Sequence, residues 1–287
     1  MNNETTLKDK WVVIPGFSSG TGEAITKALV RDYGLNVVGI HRGSYKEQAD
    51  TLEKYILDNG SKCENVISDA AEPENIDTLT NLIKEKIGSE NIHMFVHSIA
   101  NGSYGRFVSK TGDQLHFKQI NKTMQAMAHS FVYWAQHLYH KELLAPGARI
   151  VGLTNSIPES IVNGLGAITA AKATLEVYTK HLALDLGPEG FRVNLVKFSL
   201  VETEAIRIAF TEEQWNGLKK RLSRVTPAGR LCHVKEVANF VSVLAGPNAE
   251  WFNGATIDFT GGQAQSIQNS VYNPRQGELD VGLKKNK

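Results

Sequence analysis

Short runs of β-branched and other apolar residues alternate with longer helical patterns along most of the chain. Strands separated by helices are typical of βαβ units, in which neighbouring strands run parallel. Runs such as "RIVGL" are apolar at successive positions, as expected of strands that are covered on both faces of a sheet. The predicted strands cover residues 11–14, 36–40, 65–68, 92–96, 149–153, 192–196 and 255–257.

Helical patterns fill the intervals between these runs. The predicted helices cover residues 22–32, 46–58, 76–87, 112–140, 167–186 and 234–244. We therefore predict an α/β fold, a doubly wound parallel sheet of about seven strands with helices on both faces. Because no linker rich in Pro, Gly or Ser divides the sequence, residues 1–265 are predicted to form one domain. An irregular insertion at about 202–226 would act as a substrate lid, and residues 266–287 read as a polar tail.

Composition restricts the partners of the chain. Its 287 residues carry 31 Lys and Arg against 30 Asp and Glu, so charge favours neither nucleic acid nor an anionic membrane. Its apolar runs are shorter than a membrane span. Two cysteines, Cys63 and Cys232, cannot build a disulfide framework and fit the reducing cytoplasm. Histidines at 129, 137 and 140 share a predicted helix without an accompanying carboxylate or cysteine motif, so we predict no metal site.

A glycine-rich loop follows the first predicted strand. The stretch "WVVIPGFSSGTGEAITKALV" places Gly16, Gly20 and Gly22 before the first helix, with Ser18 and Ser19 among them. Glycines in this position permit a tight turn and close approach of the backbone to a pyrophosphate, which rests on the helix N-terminus. We predict that these five residues bind a dinucleotide, and the alternative is an ordinary glycine-rich turn.

The second predicted strand ends in "GIHRG". In a dinucleotide-binding fold an acidic residue at this place binds the ribose 2′-hydroxyl, whereas an arginine accepts a 2′-phosphate. Arg42, with no Asp or Glu beside it, therefore favours NADP(H) over NAD(H). The alternative is a solvated surface arginine.

Taken together, the motifs resemble the short-chain dehydrogenase/reductase family, which has a Rossmann-type fold. The resemblance covers about residues 10–262. It is carried by the glycine loop, Asp69, "VHSIANG" after the fourth strand, Asn121, Lys172, "GPEGFRVN", "TPAGRLCHVKEVANFVSVLAG" and "ATIDFTGG". "VHSIANG" is especially similar to the enoyl-acyl carrier protein reductases of that family.

The resemblance implies hydride transfer between a nicotinamide cofactor and a carbonyl or conjugated alkene, on a small or acyl-carrier-bound substrate. It implies that Asp69 contacts the adenine, that residues 97–100 pack along the cofactor and that Thr203 reaches the nicotinamide amide. The cofactor-binding residues it adds to the glycine loop and Arg42 are Asp69, Ala70, Ser98, Ala100, Lys172 and Thr203. It also implies a homo-oligomer, a dimer or tetramer, assembled through the helices at 112–140 and 167–186.

One catalytic position departs from the family. Asn121 and Lys172 match its asparagine and lysine, and its serine falls on Asn155, with Ser156 adjacent. The family tyrosine, four residues before the lysine, falls on Ile168, which has no proton to give. The longer spacing of the enoyl reductases reaches only the glycine at 164 or the leucine at 165.

Hydride that arrives at carbon leaves negative charge on oxygen, so a proton or hydrogen bond must still be supplied. The candidate donors are Tyr104 in the loop "NGSYGRF", Ser156, His97 and Lys172. A second departure follows the sixth strand, where Phe198 and Ser199 replace a Pro-Gly pair beside the nicotinamide. Phe198 either walls the nicotinamide pocket or is an ordinary core aromatic.

Three functions therefore remain open from the sequence. The first is an NADP(H)-dependent oxidoreductase with a displaced proton donor. For it an enoyl substrate fits better than a ketone, because water can protonate the enolate at carbon. The second is a nucleotide-binding scaffold, sensor or partner without turnover, and the third is a non-redox reaction on the same fold.

Overall fold

Seven parallel strands form one sheet in the order β3-β2-β1-β4-β5-β6-β7. The structure is a computed structural model, and it describes residues 7–156, 162–207, 211–263 and 266. The strands are β1 (Trp11–Pro15), β2 (Asn36–His41), β3 (Cys63–Ile67), β4 (Ile92–His97), β5 (Leu144–Asn155), β6 (Arg192–Phe198) and β7 (Thr256–Phe259). This arrangement confirms the Rossmann-type parallel sheet expected from the alternating sequence pattern.

Helices connect the strands and cover both faces. They are α1 (Gly20–Tyr33), α2 (Lys46–Asp58), α3 (Pro73–Ile87), α4 (Phe117–Met124), α5 (Ser130–His140), α6 (Gly166–Leu186), α7 (Glu204–Arg207), α8 (Glu212–Val225) and α9 (Val234–Ala245). Between α4 and α5 the backbone makes one wide π-helical turn, Gln125–His129. Short 3₁₀ turns at Gly187–Glu189 and Pro247–Ala249 precede β6 and β7.

Two apolar cores lie on opposite faces of the sheet. One packs α3, α5 and α6 against the strands through Phe95, Phe131 and Trp134, and the other packs α1, α2 and α9. All five residues of β1 are buried, because the strand lies mid-sheet with helices above and below it. Continuous burial explains why β1 is apolar at every position instead of alternating.

The clearest differences from the predicted elements concern one helix and three strands. The helix expected from residue 112 begins at Phe117, because Gly112 adopts a left-handed φ of +78° that a right-handed helix cannot contain. Strand β5 is longer at both ends than residues 149–153. Strand β3 begins earlier and β7 ends later than predicted.

The range 202–226, interpreted from the sequence as an irregular insertion, contains α7 and α8. Helix α8 starts at a reciprocal cap, in which the Gln214 amide donates to the Thr211 hydroxyl and the Thr211 amide donates to the Gln214 side chain. The Trp215 indole is buried and donates to Glu202 Oε1 at 3.0 Å. The predicted tail lies outside the described residues except for Ser266.

Within the described ranges, no helix combines the length and the apolar character that crossing a lipid bilayer requires.

Candidate functional site

A cleft of about 430 Å³ opens at the carboxyl ends of the central strands. It lies where the strand order reverses, since β1 is flanked by β2 on one side and β4 on the other. Ligands of open α/β sheets bind at such a point. The cleft is lined by Gly16, Ser18, Ser19, Gly20, Thr21, Ile40, His41, Arg42, Ser44, Tyr45, Ser68, Asp69, Ala70, Ser98, Ile99, Ala100, Asn101 and Thr203.

The floor of the cleft is a close backbone contact between the loops after β1 and β4. Gly16 has a φ of +86°, and a Cβ built on it would lie 2.3 Å from the Ser98 carbonyl oxygen. A Cβ on Gly22 would lie 2.1 Å from the Gly16 carbonyl oxygen. Only glycine fits at either position, so two of the three motif glycines serve this contact directly.

The amino end of α1 points into the cleft. Ser19 precedes the helix in extended conformation, and its side chain makes no capping hydrogen bond. The amides of the first helical turn therefore remain available to an anion, which the helix dipole also favours. Gly20 contacts the methyl group of Thr203 at the opposite wall, where an added Cβ would lie 3.2 Å from Thr203 Cγ2.

Arg42 is exposed at the rim of the cleft, directly after the buried His41. The ring of His41 accepts a hydrogen bond from the Gly43 amide through Nδ1 at 3.2 Å. Burial lowers the pKa of His41, so the imidazole is neutral near pH 7 and Arg42 supplies the positive charge. On the far side, Asp69 Oδ1 accepts the Ala71 amide at 3.1 Å, which fixes the turn after β3.

Lys172 is buried on α6, with 5% of its surface exposed. Its ammonium nitrogen Nζ donates to the Leu153 carbonyl oxygen at 2.7 Å. Burial lowers the pKa of Lys172 to about 8, because the low-dielectric interior penalises the charged form. Asn155 and Ser156 follow Leu153 at the end of β5 and are partly buried and buried, respectively.

Ile168 lies one helical turn before Lys172 and is 6% exposed. It belongs to a small apolar cluster made up of Ala71, Ala126, Met127, Ala128, Ile168 and Ala171. The loop after β4 presses on it: a Cβ built on Gly102 would lie 2.5 Å from Ile168 Cγ1 and 2.9 Å from Met127 Sδ. The place of the family tyrosine is therefore filled by an aliphatic side chain under a closely packed loop.

His97 ends β4 beneath this cluster and faces the core. Its Nε2 forms a hydrogen bond with Ser130 Oγ at 2.8 Å. Burial, together with the positive charge of Lys172, lowers the pKa of His97 to about 3. The ring is therefore neutral at physiological pH and is held by packing and by Ser130.

Two predicted catalytic residues, Tyr104 and Asn121, lie at exposed positions. Tyr104 is 72% exposed, on the loop that runs over the surface. Asn121 is also exposed, on the outer side of α4. One turn further on, Gln125 begins the π turn and its amide donates to the Ala71 carbonyl oxygen at 2.7 Å.

The remaining sequence-derived residues are divided between the cleft and the core. All the residues predicted to bind the cofactor line the cleft except Gly22 and Lys172. Phe198 packs against the core on the α1 side, as the alternative interpretation had it. Ser199 is buried beside it. Sequence reasoning did not identify Thr21, Tyr45, Gly102 or Met127, because nothing in the one-dimensional pattern marks a contact between loops.

Residues 16–264 match the family model described as "Enoyl-(Acyl carrier protein) reductase". The chain is 25% identical to 3-oxoacyl-[acyl-carrier-protein] reductase FabG of Haemophilus influenzae over 256 residues, which cover 89% of this chain and 98% of that protein.

Two solved structures share the fold. A short-chain dehydrogenase/reductase from Serratia marcescens superposes with a TM-score of 0.79 at 22% identity, over 91% of this chain and all of the other. A short-chain dehydrogenase from Burkholderia cenocepacia in complex with NADP gives a TM-score of 0.75 at 24% identity, over 91% of this chain and 99% of the other.

The contact between Gly102 and Ile168 can be tested by a double-mutant cycle. Gly102→Ala should lower the free energy of unfolding by about 1–3 kcal/mol, because the new methyl group overlaps Ile168. In an Ile168→Ala background the same change should cost at least about 1 kcal/mol less, as expected of residues in direct contact. Urea unfolding measures both. The matched control, Gly217→Ala in α8, has an open site beside a flexible arginine and should not destabilise.

Burial of the Lys172 ammonium should make stability depend on pH. Below about pH 8 the folded protein carries the buried charge of Lys172, which lowers its free energy of unfolding. Between about pH 8 and 10.5 Lys172 is deprotonated in the folded protein but protonated in the unfolded chain. Lys172→Met should therefore raise the free energy of unfolding at pH 7 by about 2–3 kcal/mol, and this gain should shrink as pH rises above 8. Denaturant unfolding of both proteins from pH 6 to 9.5 measures it.

Lys180→Met, an exposed lysine of the same helix, is the control and should change stability by less than about 0.5 kcal/mol throughout. A pH-independent difference for Lys172→Met would contradict the lowered pKa.

Proposed function

Because the chain belongs to the short-chain dehydrogenase/reductase family, we propose that it is an NADP(H)-dependent reductase of a carbonyl or enoyl thioester, small or carrier-bound. The family accounts for an NAD(P)-dependent oxidoreductase in general terms. The specific proposal is supported by two observations together: two of the three motif glycines and Arg42 line one cleft, and Lys172 is a buried cation at neutral pH. An enoyl substrate is favoured over a ketone because Ile168 cannot donate a proton.

The residues present fit a dinucleotide. Gly16 and Gly20 line the cleft without a side chain, and a Cβ on Gly16 or Gly22 would clash with neighbouring backbone. The first-turn amides of α1 and the hydroxyls of Ser18 and Ser19 would hold the pyrophosphate. Arg42 would hold a 2′-phosphate. When bound, the dinucleotide supplies a hydride to an electrophilic carbon of the substrate.

In this proposal Lys172 holds and releases the proton at the reacting end of the site. Its Nζ carries a proton below about pH 8, so at neutral pH it can stabilise negative charge on a substrate oxygen by charge and by hydrogen bonding. Leu153 positions this nitrogen through its carbonyl oxygen at 2.7 Å. Gly102 packs closely on Ile168, one turn before Lys172 on the same helix.

The close packing around Ile168 and Lys172 also favours a second function, nucleotide binding without turnover. Among the described residues, those lining the cleft extend to Asn101 and Thr203 but do not include Lys172, Asn155 or Asn121. A protein that binds the nucleotide without turning it over, as a sensor or partner, would have such a cleft. Non-redox chemistry on the fold stays a third prediction from the sequence.

Isotope transfer separates these functions. The purified protein is mixed with NADPH carrying deuterium at the transferable position and with crotonyl and acetoacetyl thioesters of pantetheine. Deuterium at the β-carbon of a saturated product supports enoyl reduction, and deuterium at the carbinol carbon supports ketone reduction. Tight NADPH binding with no labelled product from any substrate would overturn the reductase proposal and favour the sensor.

The preference for NADP(H) rests on Arg42. Arg42→Gln should weaken NADPH binding by about 10–100-fold, because a charge-assisted hydrogen bond contributes about 1.5–3 kcal/mol. NADH binding should change by less than about threefold, since it has no 2′-phosphate. Fluorescence titration with both nucleotides measures this, and Lys54→Gln, an exposed cation of α2 outside the cleft, controls for net charge. Equal losses for both nucleotides would contradict the assignment.

We also propose that the chain forms a homo-oligomer through α5 and α6. A groove of about 400 Å³ runs between these helices, and its lining mixes aromatic side chains such as Tyr133 and Tyr178 with polar ones such as His181 and Asp185. Val177 and Leu184 of α6 are 53% and 71% exposed. Exposed apolar surface of this kind supports an interface between copies. The cytoplasmic location predicted from the two cysteines stays a prediction.

A further inference from the structure

Four large apolar side chains are exposed close together after β4. Tyr104, Phe107, Val108 and Phe117 are 72%, 51%, 83% and 69% exposed. We call residues 104–122 the entrance surface. Isolated exposed apolar residues are normal in proteins, but several in one segment mark an interaction site.

The segment is held in place by its own contacts. The Leu115 amide donates to the Arg106 carbonyl oxygen at 2.8 Å, and the Ser109 amide donates to Gln114 Oε1 at 3.1 Å. Leu115 is buried and packs under Gly105, where an added Cβ would lie 2.9 Å from Leu115 Cδ2. The apolar side chains are therefore presented outward by an anchored loop.

The entrance surface is also strongly basic. It contains the exposed cations Arg106, Lys110, Lys118 and Lys122, with Asp113 as its single acidic residue. Its formal charge is therefore +3, although the whole chain has +1. Within the described part of the chain these four cations have no carboxylate partner. Asp113 is occupied by the hydroxyls of Ser109 and Thr111.

This surface adjoins the place where substrate must react. The Gly105 amide donates to the Gly164 carbonyl oxygen at 2.9 Å, just before α6. The ring of Phe107 covers Gly166, the first residue of α6, where an added Cβ would lie 2.3 Å from Phe107 Cε2. Ile168 and Lys172 follow on the same helix. A partner bound to the entrance surface would thus lie beside the start of the helix that carries Lys172.

We propose that the entrance surface is the docking site for an acidic carrier domain that delivers the thioester substrate. This inference rests on the proposed function, because it assumes that the thioester substrate arrives attached to a carrier protein. Interleaved cations and apolar side chains fit an acidic helix with an apolar stripe, and complementary charge would steer its approach. A second copy of this chain is disfavoured as the occupant, because two surfaces of charge +3 repel each other.

The extent of the surface favours a protein over a single small headgroup. Its cations are spread over the loop at Arg106 and Lys110 and over two turns of α4 at Lys118 and Lys122. Phe117, Lys118, Asn121 and Lys122 form one exposed stripe of that helix, which a partner helix can follow.

The test measures binding of a fluorescently labelled holo-acyl carrier protein by anisotropy, with no turnover required. The variant Lys110→Glu/Lys118→Glu/Lys122→Glu should bind at least about tenfold more weakly than the natural chain, because like charges then face each other. The matched control, Lys220→Glu/Arg221→Glu/Arg224→Glu, reverses three exposed charges of α8 and should lose less than about threefold, since it alters only long-range attraction. NADPH binding checks that both variants are folded.

The result that overturns the proposal is equal weakening in both variants, or no carrier binding by the natural chain. The proposal is also overturned if the natural chain does not bind the carrier but cosediments with phosphatidylglycerol vesicles, and the first variant does not. That result would assign the surface to a membrane. Failure of the proposed function would give a different result from failure of the docking site. Carrier binding without reduction leaves the docking site standing, whereas reduction of pantetheine thioesters without carrier binding leaves only the reductase.

Discussion

The contact of backbone with backbone at Gly16, Gly22 and Ser98 is the constraint on which the rest of the structure depends. It joins the loop after β1 to the loop after β4 at distances that no side chain could share. Because these strands are neighbours at the reversal of strand order, the contact directs the amino end of α1 into the cleft. The cleft, the orientation of its anion-binding amides and the course of the loop toward Gly102 all follow from it.

A second close contact governs what this site can do. Gly102 packs on Ile168 and Met127, so the surroundings of Ile168 are apolar and closely packed. Lys172 is left in this region as a buried cation with a lowered pKa. A low-dielectric setting makes one charge more effective on a nearby oxygen than it would be in water, and this favours chemistry that needs charge stabilisation more than an immediate proton.

The fold and many of the residues that line the cleft were predictable from the sequence, because both depend on local sequence patterns. Apolar runs set the strands, and Gly16, Gly20, Arg42 and Asp69 each follow a strand at the carboxyl edge of the sheet. The exposure of Asn121 and Tyr104 was not predictable in the same way. Each has a suitable residue type and stays a prediction as a catalytic residue, and the structure leaves both side chains exposed. Side-chain direction in these segments depends on contacts between distant loops.

The amino-acid sequence by itself determined the parallel sheet, the nucleotide-binding edge and the absence of a tyrosine at 168, because periodicity and residue identity are local properties. Only the tertiary structure decided that Gly102 lies on Ile168, that Lys172 is desolvated, and that the apolar and basic residues of 104–122 share one surface beside α6. These features arise from the folding of segments onto one another, and their physical basis is packing and dielectric environment, which no single stretch of sequence contains.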